Sequence, residues 1–190
     1  MTSRLREKYE NEVIKSLMEK LSGKIGIALP TFEEYPNRKN IEDIVPYYPD
    51  NEDYAYTANN LMEFYDDRDI STLLLINPDN PSGNYIKKED VLKIAKWTQE
   101  KEITFIVDES FVDFVDIEET GTLLEEEILK NHPKMIVVKS ISKSFGVPGL
   151  RLGVLACYDN DLIIFLKKDV AIWNINSFGE FYMQIFEKYK

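Results

Sequence analysis

Cysteine and histidine are almost missing: Cys157 and His132 are the single examples in 190 residues. A disulfide framework within the chain is therefore excluded, as is a metal centre built from clustered Cys and His ligands. Cys157 closes the run Leu152-Gly153-Val154-Leu155-Ala156-Cys157 and reads as a small buried hydrophobe. His132 lies in the polar stretch Lys130-Asn131-His132-Pro133-Lys134 and reads as a surface loop residue, so imidazole acid–base chemistry has little support. Positive charge is also scarce, with 23 Lys and Arg against 34 Asp and Glu, a net charge of −11. Such a chain is a poor match for nucleic acid or an anionic membrane surface. Any anion it binds must be held by a few local cations and backbone N–H groups. Long apolar runs are missing too, since none approaches the ~20 residues that span a bilayer. The first residues, Met1-Thr2-Ser3-Arg4-Leu5-Arg6-Glu7-Lys8, lack the apolar stretch of a secretory leader. The expected location is the cytosol.

What is present is globular: 44% hydrophobic residues, with 10 Phe and 11 Tyr, enough for one domain with a sizeable core. Helical and strand-like segments alternate. Leu5, Tyr9, Val13, Leu17 and Leu21 recur every fourth residue, with Ile14 and Met18 beside them, and predict one apolar helix face ending at Gly23. Strands are predicted at Ile25–Leu29, more weakly within Ile41–Tyr48, then at Thr72–Ile76, Ile103–Val107, Met135–Val138 and Leu152–Ala156. Several are uninterrupted apolar runs, as expected of strands buried on both faces. Helices are predicted over Thr57–Asp66, Lys88–Lys101 and Leu123–Leu129, and from Ser177 onward. In that last helix Phe178, Phe181, Tyr182, Ile185, Phe186 and Tyr189 share a face. It runs on without a stop signal, which suggests a segment of a longer protein. The fold class implied is α/β: a mainly parallel mixed sheet flanked by helices on both faces, a three-layer α/β/α arrangement in one domain spanning 1–190.

In such folds ligands bind beyond the carboxyl ends of the strands. Three segments follow predicted strands directly: Asn77–Gly83, Asp108–Phe111 and Lys139–Arg151. Each has an ordinary reading by itself. Asn-Pro and Ser-Gly pairs form turns, an acid after a strand can cap a helix, and a loop Lys and Arg can simply be solvated. The third segment, Ser140-Ile141-Ser142-Lys143-Ser144-Phe145-Gly146-Val147-Pro148-Gly149-Leu150-Arg151, offers more. Hydroxyls and an arginine suit a phosphate. A lysine beside another cation is an amine nucleophile or base.

The order and spacing of these segments resemble the fold-type I pyridoxal-phosphate enzymes. The likeness is to the class I/II aminotransferases, in the branch of histidinol-phosphate aminotransferase and threonine-phosphate decarboxylase. It runs from about Glu12 to the end of the chain, through Pro30-Thr31-Phe32, Asn77-Pro78-Asp79-Asn80-Pro81-Ser82-Gly83, Asp108-Glu109-Ser110-Phe111, the Ser140–Gly153 run and Trp173-Asn174-Ile175-Asn176-Ser177. The resemblance implies a role for each matching residue. Lys143 would hold pyridoxal 5'-phosphate as a Schiff base and then shuttle a proton at the substrate Cα. Asp108 would pair with the ring nitrogen and keep it protonated. Asn80 would donate to the phenolic oxygen, Phe32 would stack on the ring, and Ser140, Ser142 and Arg151 would hold the phosphate.

The resemblance also implies small-molecule amino acid and 2-oxo acid substrates and a homodimer. Its expected reaction is amino-group transfer. Decarboxylation of a phosphorylated amino acid would use the same residues, and a non-catalytic excised or degenerate domain is the reading from another class. Three departures stand out. Phe111 replaces a tyrosine of many relatives and cannot donate a hydrogen bond. The helix start that normally cradles the phosphate carries Tyr9-Glu10 instead of small residues. The chain also ends before the small C-terminal domain, whose arginine grips the substrate carboxylate in the family.

Overall fold

The computed structural model describes residues 17, 21–116, 121–169 and 174–188. Continuous apolar runs belong in strands covered on both faces, and the centre of the sheet is built from them. Its strands are β1 (Ile25–Ala28), β2 (Ile44–Tyr47), β3 (Thr72–Ile76), β4 (Thr104–Asp108), β5 (Met135–Ser140) and β6 (Gly153–Cys157). Their order is β2-β1-β3-β4-β5-β6. Every pairing is parallel except the last, in which β6 runs antiparallel to β5. The sheet is therefore mixed but mainly parallel.

Alternating side chains send the strands' apolar residues to two cores. On one face Leu73, Leu75, Phe105, Val107, Met135 and Val137 pack under α1 (Ala58–Tyr65), α2 (Lys88–Glu100) and α3 (Glu126–Asn131). On the other face Ile25, Ile27, Leu74, Ile76, Ile106 and Ile136 pack against Leu17, Tyr35 and two residues of a later helix, Leu162 and Leu166. The three layers expected from the sequence are present. Thr57 caps α1 through a reciprocal box with Asn60. Gly26 lets Tyr65 of that helix approach the sheet, because a Cβ there would lie 2.7 Å from the tyrosine ring. The Tyr65 hydroxyl then donates to the Val45 carbonyl at 2.8 Å.

Several elements differ from expectation. The segment Ile41–Tyr48 begins with a 3-10 turn (Ile41–Asp43), and only its second half joins the sheet. The helix expected at Leu123–Leu129 starts later, at Glu126, because the Leu123 backbone is held by Glu109 in the preceding loop. Two helices were not anticipated: α4 (Ile141–Ser144) and α5 (Asn160–Asp169). The final helix, α6, spans Ser177–Ile185, and Asn176 caps it by accepting from the Gly179 N–H at 2.9 Å. Its aromatic face is divided. Phe186, just beyond α6, packs edge-on against Phe145 with centroids 4.6 Å apart, whereas Phe178 and Phe181 are exposed. Of the expected N-terminal helix, only Leu17 and Leu21 are described. Leu17 is helical and buried, and its carbonyl accepts from Leu21 N–H at 3.1 Å. The departures at Tyr9-Glu10 lie outside the described residues. No helix among the described residues is long and apolar enough to cross a membrane.

Candidate active site

The carboxyl ends of β3, β4 and β5 lie side by side, so the loops that follow them meet at one edge. Register pairs Ile76 with Asp108 and Asp108 with Val138. The loop after β3 is pinned to this edge, since Asn77 N–H donates to the Asp108 carbonyl at 2.9 Å. Its polar side chains largely stabilise the loop itself. The Asn77 amide exchanges two 2.8 Å bonds with the Ile86 backbone, and Ser82 donates to Asp79 at 2.5 Å. Asn80 sits half-buried on this loop.

Asp108 ends β4 and shares a sheet face with Ile106, two residues earlier. It is 8% exposed. Its Oδ2 accepts from the Tyr35 hydroxyl at 2.7 Å, and its Oδ1 accepts from Ser110 N–H at 2.9 Å. Tyr35 is 2% exposed and rises from a turn on the same face. Burial raises its phenol well above the ordinary range, and the charge of Asp108 and their hydrogen bond raise it further. The phenol is thereby kept protonated, as a donor. Phe32 lies near Tyr35, edge-on with centroids 6.3 Å apart, and is 45% exposed. That much open ring surface is available for stacking.

Ser110 connects Asp108 to the next strand, because its Oγ accepts from Ser140 N–H at 2.9 Å. Ser140 is the last residue of β5 and the N-cap position of α4, which carries Lys143. The Lys143 ammonium lies 5.4 Å from the centroid of Phe111. Lys143 and Asp108 therefore belong to adjoining strand ends, joined through Ser110 and Ser140. Ser142 is buried and engaged locally: its Oγ donates to the Leu152 carbonyl at 3.2 Å and accepts from Leu152 N–H at 3.0 Å. Arg151 is exposed, has a left-handed backbone (φ 57°) and reaches the Pro148 carbonyl at 3.4 Å.

This donor and acceptor set fits a pyridine ring carrying an aldehyde and a phosphate. A buried carboxylate already served by two N–H or O–H donors suits a cationic ring nitrogen. A primary amine stands one strand away, and Ser140 and Arg151 suit the phosphate, with Ser142 placed to brace their loop. Sequence reasoning missed Tyr35 and Ser110. The signal for Tyr35 was present, as an aromatic three residues after Phe32 in the otherwise charged run Phe32-Glu33-Glu34-Tyr35.

Comparison with known proteins decides the family. The family model described as aminotransferase class I and II matches residues 11–183. The chain belongs to that family. Its cofactor is pyridoxal 5'-phosphate, as the resemblance implied. L-serine phosphate decarboxylase of Sulfurospirillum multivorans is 34% identical over 183 residues, covering 92% of this chain and 45% of that protein. Among solved structures, a decarboxylase from the same organism superposes with a TM-score of 0.77 at 33% identity, over 94% of this chain and 51% of that one. The histidinol-phosphate aminotransferase of Clostridium acetobutylicum superposes with a TM-score of 0.74 at 27% identity, over 90% and 50%. The chain spans about half the length of these class I and II relatives.

Proposed function

We propose that this chain is the pyridoxal-phosphate-binding core of an enzyme that decarboxylates an O-phosphorylated amino acid, with amino-group transfer as the second reading. The observation that carries the cofactor site is Asp108, buried at the strand edge and accepting from Tyr35 and Ser110. Two further points favour decarboxylation. The serine phosphate decarboxylase relative is more similar to this chain than the aminotransferase structure is. Many relatives have tyrosine at Phe111, and phenylalanine in its place resembles the threonine-phosphate decarboxylase-like branch.

When bound, pyridoxal phosphate supplies an electron-accepting ring and an aldehyde that takes the substrate amino group. This chain's residues supply the rest. The Asp108 carboxylate holds a proton on the ring nitrogen. Asn80 donates to the phenolic oxygen without help from Phe111. Phe32 would stack on the ring, Ser140 and Arg151 would hold the phosphate, and Ser142, bound to the Leu152 backbone, braces their loop instead of touching the phosphate. The Lys143 Nζ would hold the cofactor, and its amine would deliver a proton to the substrate Cα in decarboxylation or take one from it in transfer. Contacts to the substrate carboxylate would decide which of the two reactions follows. A homodimer belongs to the same reading.

The test starts from the chain mixed with pyridoxal phosphate, which should give a yellow band and, after borohydride, a label on Lys143. O-phospho-L-serine is then added to the unreduced complex. Carbon dioxide released with the aldehyde cofactor retained supports decarboxylation. Conversion of the cofactor to pyridoxamine phosphate supports transfer. A label on another lysine, or no label, sinks both readings.

A further inference from the structure

Of all the buried ionisable groups at the strand edge, Tyr35 bears most directly on the carboxylate that the site depends on. Neither sequence nor family name assigns it a role. It comes from a different segment, ten residues after the start of β1, yet its hydroxyl reaches across the sheet edge to Asp108 Oδ2 at 2.7 Å. The other oxygen, Oδ1, is taken by Ser110 N–H at 2.9 Å. One donor on each oxygen, from two separate segments, fixes the plane of the carboxylate. An ionised carboxylate offers about four lone-pair sites, so each oxygen keeps capacity for another donor. At 2% exposure, Tyr35 cannot be replaced by water without rearranging the core.

We propose that Tyr35 is a positioning residue, whose hydroxyl orients the Asp108 carboxylate toward a cationic ring nitrogen. The inference rests on the cofactor site proposed above and deepens it. Tyr35 touches neither cofactor nor substrate in this role; it acts through Asp108. Its phenol suits the task because burial and the neighbouring charge keep it protonated. Its ring also packs among Ile25, Ile27, Leu74 and Ile76, which hold the hydroxyl at a fixed height over the strand edge.

The experiment compares two probes on the full chain: pyridoxal phosphate and its analogue in which carbon replaces the ring nitrogen. Both carry the aldehyde and the phosphate, but only the first can engage Asp108 through the nitrogen. Tyr35→Phe keeps the ring and removes the donor. The expected result is about tenfold weaker binding of pyridoxal phosphate, the scale of one charge-assisted hydrogen bond, with binding of the analogue unchanged. Equal weakening of both probes would mean that Tyr35 only supports the fold, and unchanged binding of both would mean that it does not act on Asp108. Either result overturns the proposal. If the unsubstituted chain binds neither probe, the cofactor site itself fails, which is a separate outcome. Should Tyr35→Phe not fold, 3-fluorotyrosine at position 35 keeps the shape and makes a stronger donor. It must then raise the preference for pyridoxal phosphate over the analogue, and no change in that preference overturns the proposal.

Discussion

Asp108 and Glu109 are adjacent acids at the end of one strand, and they do opposite things. Strand parity points them to opposite faces of the sheet. On one face Asp108 accepts from Tyr35 and Ser110 at the edge where the loops meet. On the other, Glu109 is buried among structural partners. It accepts from Leu123 N–H at 2.8 Å and from the Thr122 hydroxyl, and Lys139 lies 4.0 Å away. Burial raises the Glu109 carboxyl above its ordinary range, against the lowering effect of these partners. Two lysines of the next segment also differ in their partners. Lys139 pairs with Asp113 at 2.8 Å on the structural face, whereas Lys143, four residues on, lies over Phe111 at the site. Residue type and position in the sequence cannot separate such neighbours. The face each one occupies does.

The strongest way to break this comparison is at the lysines. Lys143→Ala should abolish the borohydride-fixed label completely, while the free energy of unfolding stays within about 0.5 kcal/mol, as for an exposed side chain. Lys139→Ala should do the reverse, keeping the label and losing stability through the broken ion pair with Asp113. A label that survives Lys143→Ala would overturn the assignment of Lys143 to the cofactor. The next largest effect is on Glu109. Glu109→Ala leaves the Leu123 N–H without its acceptor and takes away a carboxylate beside Lys139, at a cost of about 2–3 kcal/mol in urea unfolding. Pyridoxal phosphate binding by the folded fraction should persist. A neutral effect on stability would mean that Glu109 is not the structural member of the pair.

The sequence made one of these faces far more legible than the other. Asp108 could be placed because it closes an apolar run read as a strand, and Lys143 and Arg151 because they lie in the loop between two such runs. Tyr35 left only a faint signal, an aromatic three residues after Phe32, because its surroundings, Glu33-Glu34 and Pro36-Asn37-Arg38, look like a solvated turn. Only the approach of that turn to β4, far along the chain, buries it. Helix α5 was hidden for a different reason. Leu162-Ile163-Ile164-Phe165-Leu166 is continuously apolar and shows no helical period. In the fold Leu162 and Leu166 face the core, four residues apart, while Ile164 is exposed. The start of α3 was misplaced because Leu123 and Leu124 extend its apolar pattern. Their segment is instead held in a loop by the carboxylate of Glu109. Local patterns thus located the strands and the loops at their ends, and long-range contacts decided what those loops hold.

The smallest predicted effect sharpens the Asp108 side. The Tyr35 phenol is raised first by burial, then by the Asp108 charge and the bond between them. Asp108→Asn removes the second cause, weakens the third by offering only a neutral acceptor, and leaves the first. The phenol should therefore titrate at lower pH than in the unsubstituted chain, yet still above an ordinary tyrosine. The sign for stability follows from linkage. A phenol whose value is raised by folding contributes stability that is complete below the unfolded value, near 10, and is lost as pH rises through the folded value. Lowering the folded value narrows that window, so the substituted chain should lose less stability to rising pH in the alkaline range. The measurement is the carbon-13 signal of the tyrosine ζ carbon, assigned by its disappearance in Tyr35→Phe and followed through alkaline titration. Identical titration with and without the Asp108 charge would mean that the hydroxyl and the carboxylate are not in contact in solution, and the distinction between the two acids would then rest on Glu109 alone.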